Sequence, residues 1–282
     1  MTSSIFNDVI GPVMRGPSSS HCAASLRIGR ICRDLMDGDI KEVLIEFDPN
    51  GSLATTHEGQ GSDMGLFGGF LGWEADEERL PDYLSAIKEA NIQVAIKIHD
   101  IGASHPNTYK ITLKNDRETR ELIALSLGGG MIEIIEIDGA KVSMQGDYYQ
   151  TLIYVRSDFE IMHDLKEQFS CDEIALRKGA FNFVEIKANR FIPPNLESKL
   201  EKAKGVLFMK KLHPVLPILA SKNLRVPFIT CNEMLDYNAD KNLELWQLAL
   251  NYESARGNLS EEEVFEKMRS IFHDLKNGTH FL

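Results

Sequence analysis

The chain has 282 residues, a formal charge of −11, 43% hydrophobic residues and 26% charged residues, which is the composition of a soluble globular protein with room for about two compact domains. The acidic balance, with no Lys/Arg stripe longer than Lys210-Lys211, excludes nucleic acid as a main partner. No apolar run approaches the roughly 20 residues that cross a bilayer. The opening residues also lack the basic start and unbroken apolar core of a secretory signal, so a cytoplasmic protein with no membrane partner is expected.

In chain order, Ala24, Ile28, Ile31 and Leu35 share one face of a predicted helix, and Gly38 lies where a C-terminal stop belongs. Glu42–Phe47 reads as a strand. A second helix opens at Asp63 and runs through Leu66, Phe67 and Leu71, and a third starts at Pro81 and runs to about Ala90. Strands are predicted over Gln93–Ile98, Thr108–Leu113 and Met131–Ile137. From Tyr149 the pattern restarts: strand 151–155, helix Phe159–Phe169, strands Asp172–Leu176 and Asn182–Lys187, helix Pro194–Ala203 and strand Val206–Met209. That order, β-α-β-β-α-β, is a ferredoxin-like arrangement. His213-Pro214 and Val226-Pro227 punctuate a linker, and two terminal helices follow, Asp240–Ser254 and Ser260–Lys276. The second of these opens on a Ser260/Glu263 capping box. The fold class expected is therefore α+β.

The four cysteines, Cys22, Cys32, Cys171 and Cys231, form no C-x-x-C pair. They read as small hydrophobes in a reducing compartment rather than as metal ligands, because a zinc or iron–sulfur site needs three or four converging ligands.

Four short stretches carry chemistry. Ser18, Ser19, Ser20 and His21 gather hydroxyls and free amides at the start of a helix, a site for a carboxylate or phosphate, with an imidazole beside it that titrates near neutral pH. Residues 51–63 put His57, Gln60, Ser62 and Asp63 on a glycine-flanked loop, where Asp63 serves equally as a helix cap. His105-Pro106-Asn107 is a rigid polar pair or an ordinary turn. Ser126 precedes Gly128, Gly129 and Gly130, a run that suits an anion but matches neither a dinucleotide fingerprint nor a Walker loop.

Taken together, IGPVMRGPSSSH, SLATTHEGQGSD, SHPNTYKITL and SLGGGMIEIIEIDG resemble the N-terminal β part of bacterial iron–sulfur-dependent L-serine dehydratases, over about residues 5–145. The resemblance implies a substrate-binding α/β domain of the allosteric-substrate-binding type over 1–147 and an ACT-like domain over 148–212. Over 213–282 it implies a linker and helical hairpin similar to the start of the family's catalytic α part. It implies conversion of L-serine to pyruvate and ammonia. His21, His105 and His57 would be the catalytic groups; Ser18, Ser19, Ser20, Asp63, Asn107, Ser126, Gly128, Gly129 and Gly130 would contact the small amino-acid substrate. It also implies a [4Fe–4S] cluster on a partner α-type chain, with no metal on this one, and association into an oligomer. Two positions depart from the family's pattern. Cys22 stands where threonine is usual, and Gln60 stands where a histidine is expected, and glutamine cannot accept a proton. His57, three residues away, is the group placed to compensate. Three functions stay open at this point: a serine dehydratase subunit, a related lyase acting on another small amino or hydroxy acid, and a non-catalytic subunit that senses an amino acid.

Overall fold

The computed structural model describes residues 2–156 and 165–278, and its class is α+β. A first sheet has the order β2-β1-β3-β4-β5-β6, built from β1 (Glu42–Phe47), β2 (Gln93–Ile98), β3 (Thr108–Lys114), β4 (Thr119–Gly128), β5 (Met131–Ile137) and β6 (Ala140–Met144). β1 and β2 run parallel, and the remaining neighbours run antiparallel. One face is apolar, with Ile45, Phe47, Tyr109, Ile111, Leu122, Ala124, Ile132 and Ile134 buried in one cluster. Burying one face fixes the register, since a slip of one residue would turn every one of these side chains outward. Strands β4 and β6 do not stand out in the sequence. On β4 the core-facing positions read Arg120, Leu122, Ala124, Ser126, so two polar residues interrupt the alternation that would announce a strand.

Helix α1 (Ala24–Leu35) covers the apolar face and crosses α3 (Ser62–Phe70) at glycines. A Cβ added at Gly29 would lie 2.5 Å from the Leu66 carbonyl oxygen, and one at Gly69 would lie 2.7 Å from the Gly29 Cα. One at Gly65 would collide with the Cys22 carbonyl oxygen and the Ser25 hydroxyl. The two backbones therefore touch with no side chain between them. The short helices α2 (Leu53–Thr56) and α4 (Tyr83–Glu89) flank this pair.

The second sheet has the order β10-β7-β9-β8 and is antiparallel throughout, with β7 (Tyr149–Val155), β8 (Glu173–Arg177), β9 (Phe183–Ala188) and β10 (Val206–Leu212). Its fourth, first, third and second strands thus lie side by side. Helix α5 (Pro194–Glu201) covers one face through Leu196 and Leu200, next to Ile153, Val184 and Ile186. Most of the helix expected over 159–169 lies outside the described residues, as does His163. The opposite face, through Leu152, Tyr154, Phe183 and Leu212, joins the core of the first sheet.

At that junction sits a buried ion network. Arg120 on β4 is 4% exposed; it donates to Asp138 Oδ2 at 3.1 Å and twice to Glu118 Oε2, at 2.9 and 2.7 Å. Its guanidinium lies 4.5 Å from the Phe208 ring centroid and 4.9 Å from that of Tyr154. Tyr154 Oη donates to Asp138 at 2.7 Å, and Lys210 Nζ reaches Glu118 at 2.6 Å and Asp37 at 2.7 Å.

Three helices close the chain rather than the expected two: α6 (Cys231–Asn238), α7 (Leu245–Gly257) and α8 (Glu261–Gly278). Helix α6 buries none of its residues, which is why no apolar stripe marks it in the sequence. The Ser260/Glu263 capping box forms as expected, with bonds of 2.7 and 3.1 Å. These helices are clasped to the N-terminus. Glu253, fully buried, accepts from the Ser4 hydroxyl and from the Ile5 amide at 2.8 Å. Asn7 exchanges two hydrogen bonds with the Ile218 backbone, and Arg256 donates to the Thr2 carbonyl at 2.7 Å. Among the described residues no helix is long and apolar enough to cross a membrane.

Two stability measurements follow from this packing. Arg120→Ala takes the cation from buried Asp138, leaves Glu118 with Lys210 alone and should cost about 3–5 kcal/mol in urea denaturation. Gly65→Ala forces α3 away from the turn before α1 and should cost about 1–3 kcal/mol by the same assay.

Candidate functional site

The serine-rich segment does not enter α1 directly. Residues Ser19–Ala23 make a single π-turn, a wider loop of chain than a helical turn and one often found at functional sites. That turn brings Ser18 Oγ and Ser20 Oγ each to 3.1 Å from His21 Nδ1 and to 3.1 Å from one another. On the other side of the ring, His21 Nε2 lies 3.1 Å from Thr56 Oγ1. Thr56 in turn donates its only hydroxyl proton to the Ser52 carbonyl at 2.6 Å. Its oxygen is therefore an acceptor toward His21, so Nε2 carries the proton and Nδ1 presents its lone pair to the two serine hydroxyls. Burial pulls the His21 pKa below its ordinary value, which keeps this neutral form at pH 7.

The same bonds continue around a closed circuit. Ser52 Oγ donates to Asn107 Oδ1. The Asn107 carbonyl accepts from the Ser126 amide at 3.0 Å, and Ser126 Oγ donates to the Ser20 carbonyl at 2.6 Å. Asn107 also donates its amide to His105 Nδ1 at 3.1 Å, placing the neutral His105 proton on Nε2. So Ser18, Ser20, His21, Asn107 and Ser126, chosen from the sequence, are joined in space, with His105 attached to them. Ser19 gives its carbonyl to the Ala24 amide rather than its side chain to this circuit. Ser52 and Thr56 are the members that the sequence reading does not single out. Their spacing of four, one helical turn, is the signal that places both on one side of α2.

His57 and Asp63 form a second pair beside it. Both Asp63 oxygens lie 2.9 Å from His57 Nδ1, which commits the Nδ1 proton to the carboxylate and leaves Nε2 as the basic nitrogen. The His57 ring rests on Phe47, 5.3 Å between centroids, and Phe47 meets Tyr109 edge-on at 5.5 Å. Burial raises the Asp63 pKa, with the His57 contact opposing it. Tyr109 Oη, whose pKa burial drives upward, lies 3.1 Å from Ser62 Oγ. Asp63 is thus a partner of His57, in the first turn of α3, while Gly61 takes the cap position. Gln60 is exposed on the loop between them.

Gly128, Gly129 and Gly130 form the turn from β4 into β5, with φ of 98°, 62° and 84°. All three conformations are left-handed, which residues with a Cβ rarely adopt. The Gly130 carbonyl accepts from Arg27 of α1, which ties the glycine turn to the helix that follows the π-turn of His21.

No family model matches the chain. It is 31% identical over 213 residues, 73% of its own length and 96% of the relative's, to a protein described as a probable L-serine dehydratase beta chain from Bacillus subtilis (strain 168). The chain belongs to the L-serine dehydratase beta-chain family. A second relative, the L-serine dehydratase beta chain of Peptoniphilus asaccharolyticus, is 34% identical over 148 residues, 52% of this chain and 66% of that one. Within this beta-chain fold, the circuit links three segments far apart in sequence, residues 18–21, 52–56 and 107–126, into one polar surface.

The His21 assignment can be read by ring-nitrogen NMR. His21 should titrate below 6.5, as the N-ε-protonated tautomer, in the folded protein. Its folded pKa is lowered, so the unfolded chain takes up the proton first. The His21 contribution to stability is then whole above about pH 6.5 and is lost as pH falls through the folded value. Thr56→Val removes the acceptor and should produce a mixture of tautomers, whereas Thr56→Ser should preserve the single one.

Proposed function

We propose that this chain is the substrate-binding subunit of an L-serine dehydratase, which eliminates water from L-serine to give an enamine whose imine tautomer is hydrolysed to pyruvate and ammonia. Family membership supports the reaction, and the closed circuit around His21 is the observation that carries the site. The circuit offers hydroxyls from Ser18 and Ser20, the Asn107 side chain and the glycine turn to a small molecule bearing a carboxylate, while Ser126, fully buried, holds the Ser20 carbonyl from beneath. In this reading residues 1–147 are the substrate-binding domain, 148–212 an ACT-like domain and 213–282 a linker and helical segment. The βαββαβ pattern and the antiparallel order β10-β7-β9-β8 support the ACT-like assignment. A cytoplasmic location and assembly with an α-type chain complete the proposal.

The family implies a [4Fe–4S] cluster, and this chain's cysteines do not fit one. Cys22 and Cys32 are fully buried thiols that desolvation holds protonated, Cys22 being pushed up to about 11, and a cluster takes thiolates. Cys171 is half-buried and Cys231 exposed on α6. Among the described residues no three cysteine, histidine or carboxylate side chains converge as a metal site. The ligands are therefore assigned to the partner, and a bound cluster would supply a Lewis acid for the substrate hydroxyl. This chain's own part is to bind, orient and handle protons. Loss of water breaks the Cα–H and Cβ–O bonds, so a base must take the Cα proton. His57, with Nδ1–H anchored on Asp63 and Nε2 basic, has the arrangement of such a base, in place of the residue that Gln60 has displaced. His21, neutral and bonded to serine hydroxyls, is suited to move a proton at Nδ1.

Gln60 also favours a second reading, a subunit that binds an amino acid without turning it over. Anaerobic co-expression with an α-type chain, followed by a pyruvate assay on L-serine, separates the two. Turnover is expected, and His57→Ala should lower kcat by about 10²- to 10⁴-fold. A cluster-loaded complex that forms no pyruvate would favour the sensing subunit, and unchanged turnover in His57→Ala would remove His57 from the mechanism.

A further inference from the structure

Arg27 is in an unusual position for a cation. It is 6% exposed and is the fourth residue of α1, close to the positive end of the helix dipole. Of its five N–H donors, one is committed to the Gly130 carbonyl. Among the described residues no carboxylate stands within ion-pair distance of it. Glu74 acts on it only through its more distant field, being held by Arg30. A buried guanidinium with one neutral acceptor and no counter-ion is costly. Desolvation lowers its pKa, yet an arginine stays charged at neutral pH.

The environment is not closed. Arg27 lines a cleft of about 540 Å³ between the N-terminal segment, α1, residues 74–76, residues 214–217 and α8, large enough for a small metabolite. Arg27 and Arg30 are its less exposed charged residues, while Glu74, Asp76, Lys267 and Asp274 are exposed around it. Asp76 uses its backbone carbonyl, not its carboxylate, to hold Arg15. The cleft therefore has a cation in its wall that needs an anion and free carboxylates at its edge that accept a cation.

We infer that this cleft is a second small-molecule site, separate from the serine-rich turn, which takes a zwitterion of the α-amino acid class with its carboxylate on Arg27. The planar fork of the guanidinium matches a carboxylate in a bidentate manner, and the ligand's ammonium faces Asp76 and Asp274. Occupation supplies the counter-charge that Arg27 lacks. Because Arg27 also holds Gly130, and Ser126 of β4, the strand leading into that turn, holds Ser20, binding in the cleft bears on the glycine turn and on the position of the serine-rich segment.

The test uses the full chain and three matched probes: L-alanine, propanoate, which lacks the ammonium, and ethylamine, which lacks the carboxylate. The Arg27 side-chain N–H resonance should shift with L-alanine, shift with propanoate only at higher concentration, and stay still with ethylamine. Arg27→Lys should weaken L-alanine binding by about tenfold or more. Asp76→Asn with Asp274→Asn, both at exposed positions that leave folding intact, should weaken L-alanine and leave propanoate unchanged. Binding should persist in His21→Ala. An unmoved Arg27 resonance, equal binding of ethylamine, or binding lost in His21→Ala but kept in Arg27→Lys would overturn the inference, while leaving the proposed serine site standing.

Discussion

The contact between α1 and α3 sets the geometry of everything around the serine-rich turn. Gly29, Gly65 and Gly69 let the two backbones meet directly, and the Cys22 carbonyl sits against Gly65 where any side chain would push it away. Position 22 lies inside the π-turn that carries His21, so helix spacing and imidazole position are one variable. Loop 51–63 is attached to the same α3, and it brings Thr56 to His21 and His57 to Asp63. Interiors are packed too densely to absorb an added methyl locally, so a displacement of α3 would be transmitted to both histidine pairs.

A second constraint acts at the junction of the sheets. Arg120 and Lys210, both buried, satisfy Asp138, Glu118, Tyr154 and Asp37 in one network flanked by the Phe208 ring. Such groups demand specific partners where apolar contacts would tolerate sliding, and every member here has one. Gln150 and Glu185, on the same face of the second sheet, are different: both Gln150 side-chain atoms and Glu185 Oε1 are buried without a hydrogen-bond partner among the described residues. Arg177 on the neighbouring strand answers only the other Glu185 oxygen, at 2.6 Å.

How much of this was legible in the sequence depended on whether the signal was local. Strands rich in β-branched residues, such as Gln93–Ile98 and Met131–Ile137, stand out to the residue. Strand β4 does not, because Arg120 and Ser126 occupy core positions for long-range reasons: one anchors the second sheet and the other holds the Ser20 carbonyl. Helix α6 buries nothing and so leaves no stripe. In the site, PSSSH and HPN were visible as motifs, whereas their joining through Ser52, Thr56 and Ser126 spans separations of 35 to 106 residues that no spacing rule covers. Arg27 was hidden for a similar reason, as one charge on a helix read for its apolar face.

The clasp between residues 2–7 and α7 has a consequence for how the molecule comes into being. Residues 2–7 find their partners, Ile218, Glu253 and Arg256, only after more than two hundred further residues have been synthesised. Until then the Ser4 hydroxyl can accept only from the local Phe6 and Asn7 amides, and the Asn7 side chain lacks its Ile218 partners. When α7 arrives, Glu253 enters the interior already accompanied by the Ser4 hydroxyl and the Ile5 amide, so its burial and the locking of residues 2–7 occur as one event. Nascent chains halted before α7 should hold both sheets yet leave residues 2–7 loose. The arrival of α7 is thereby recorded in the fold as the closing of a single fastener.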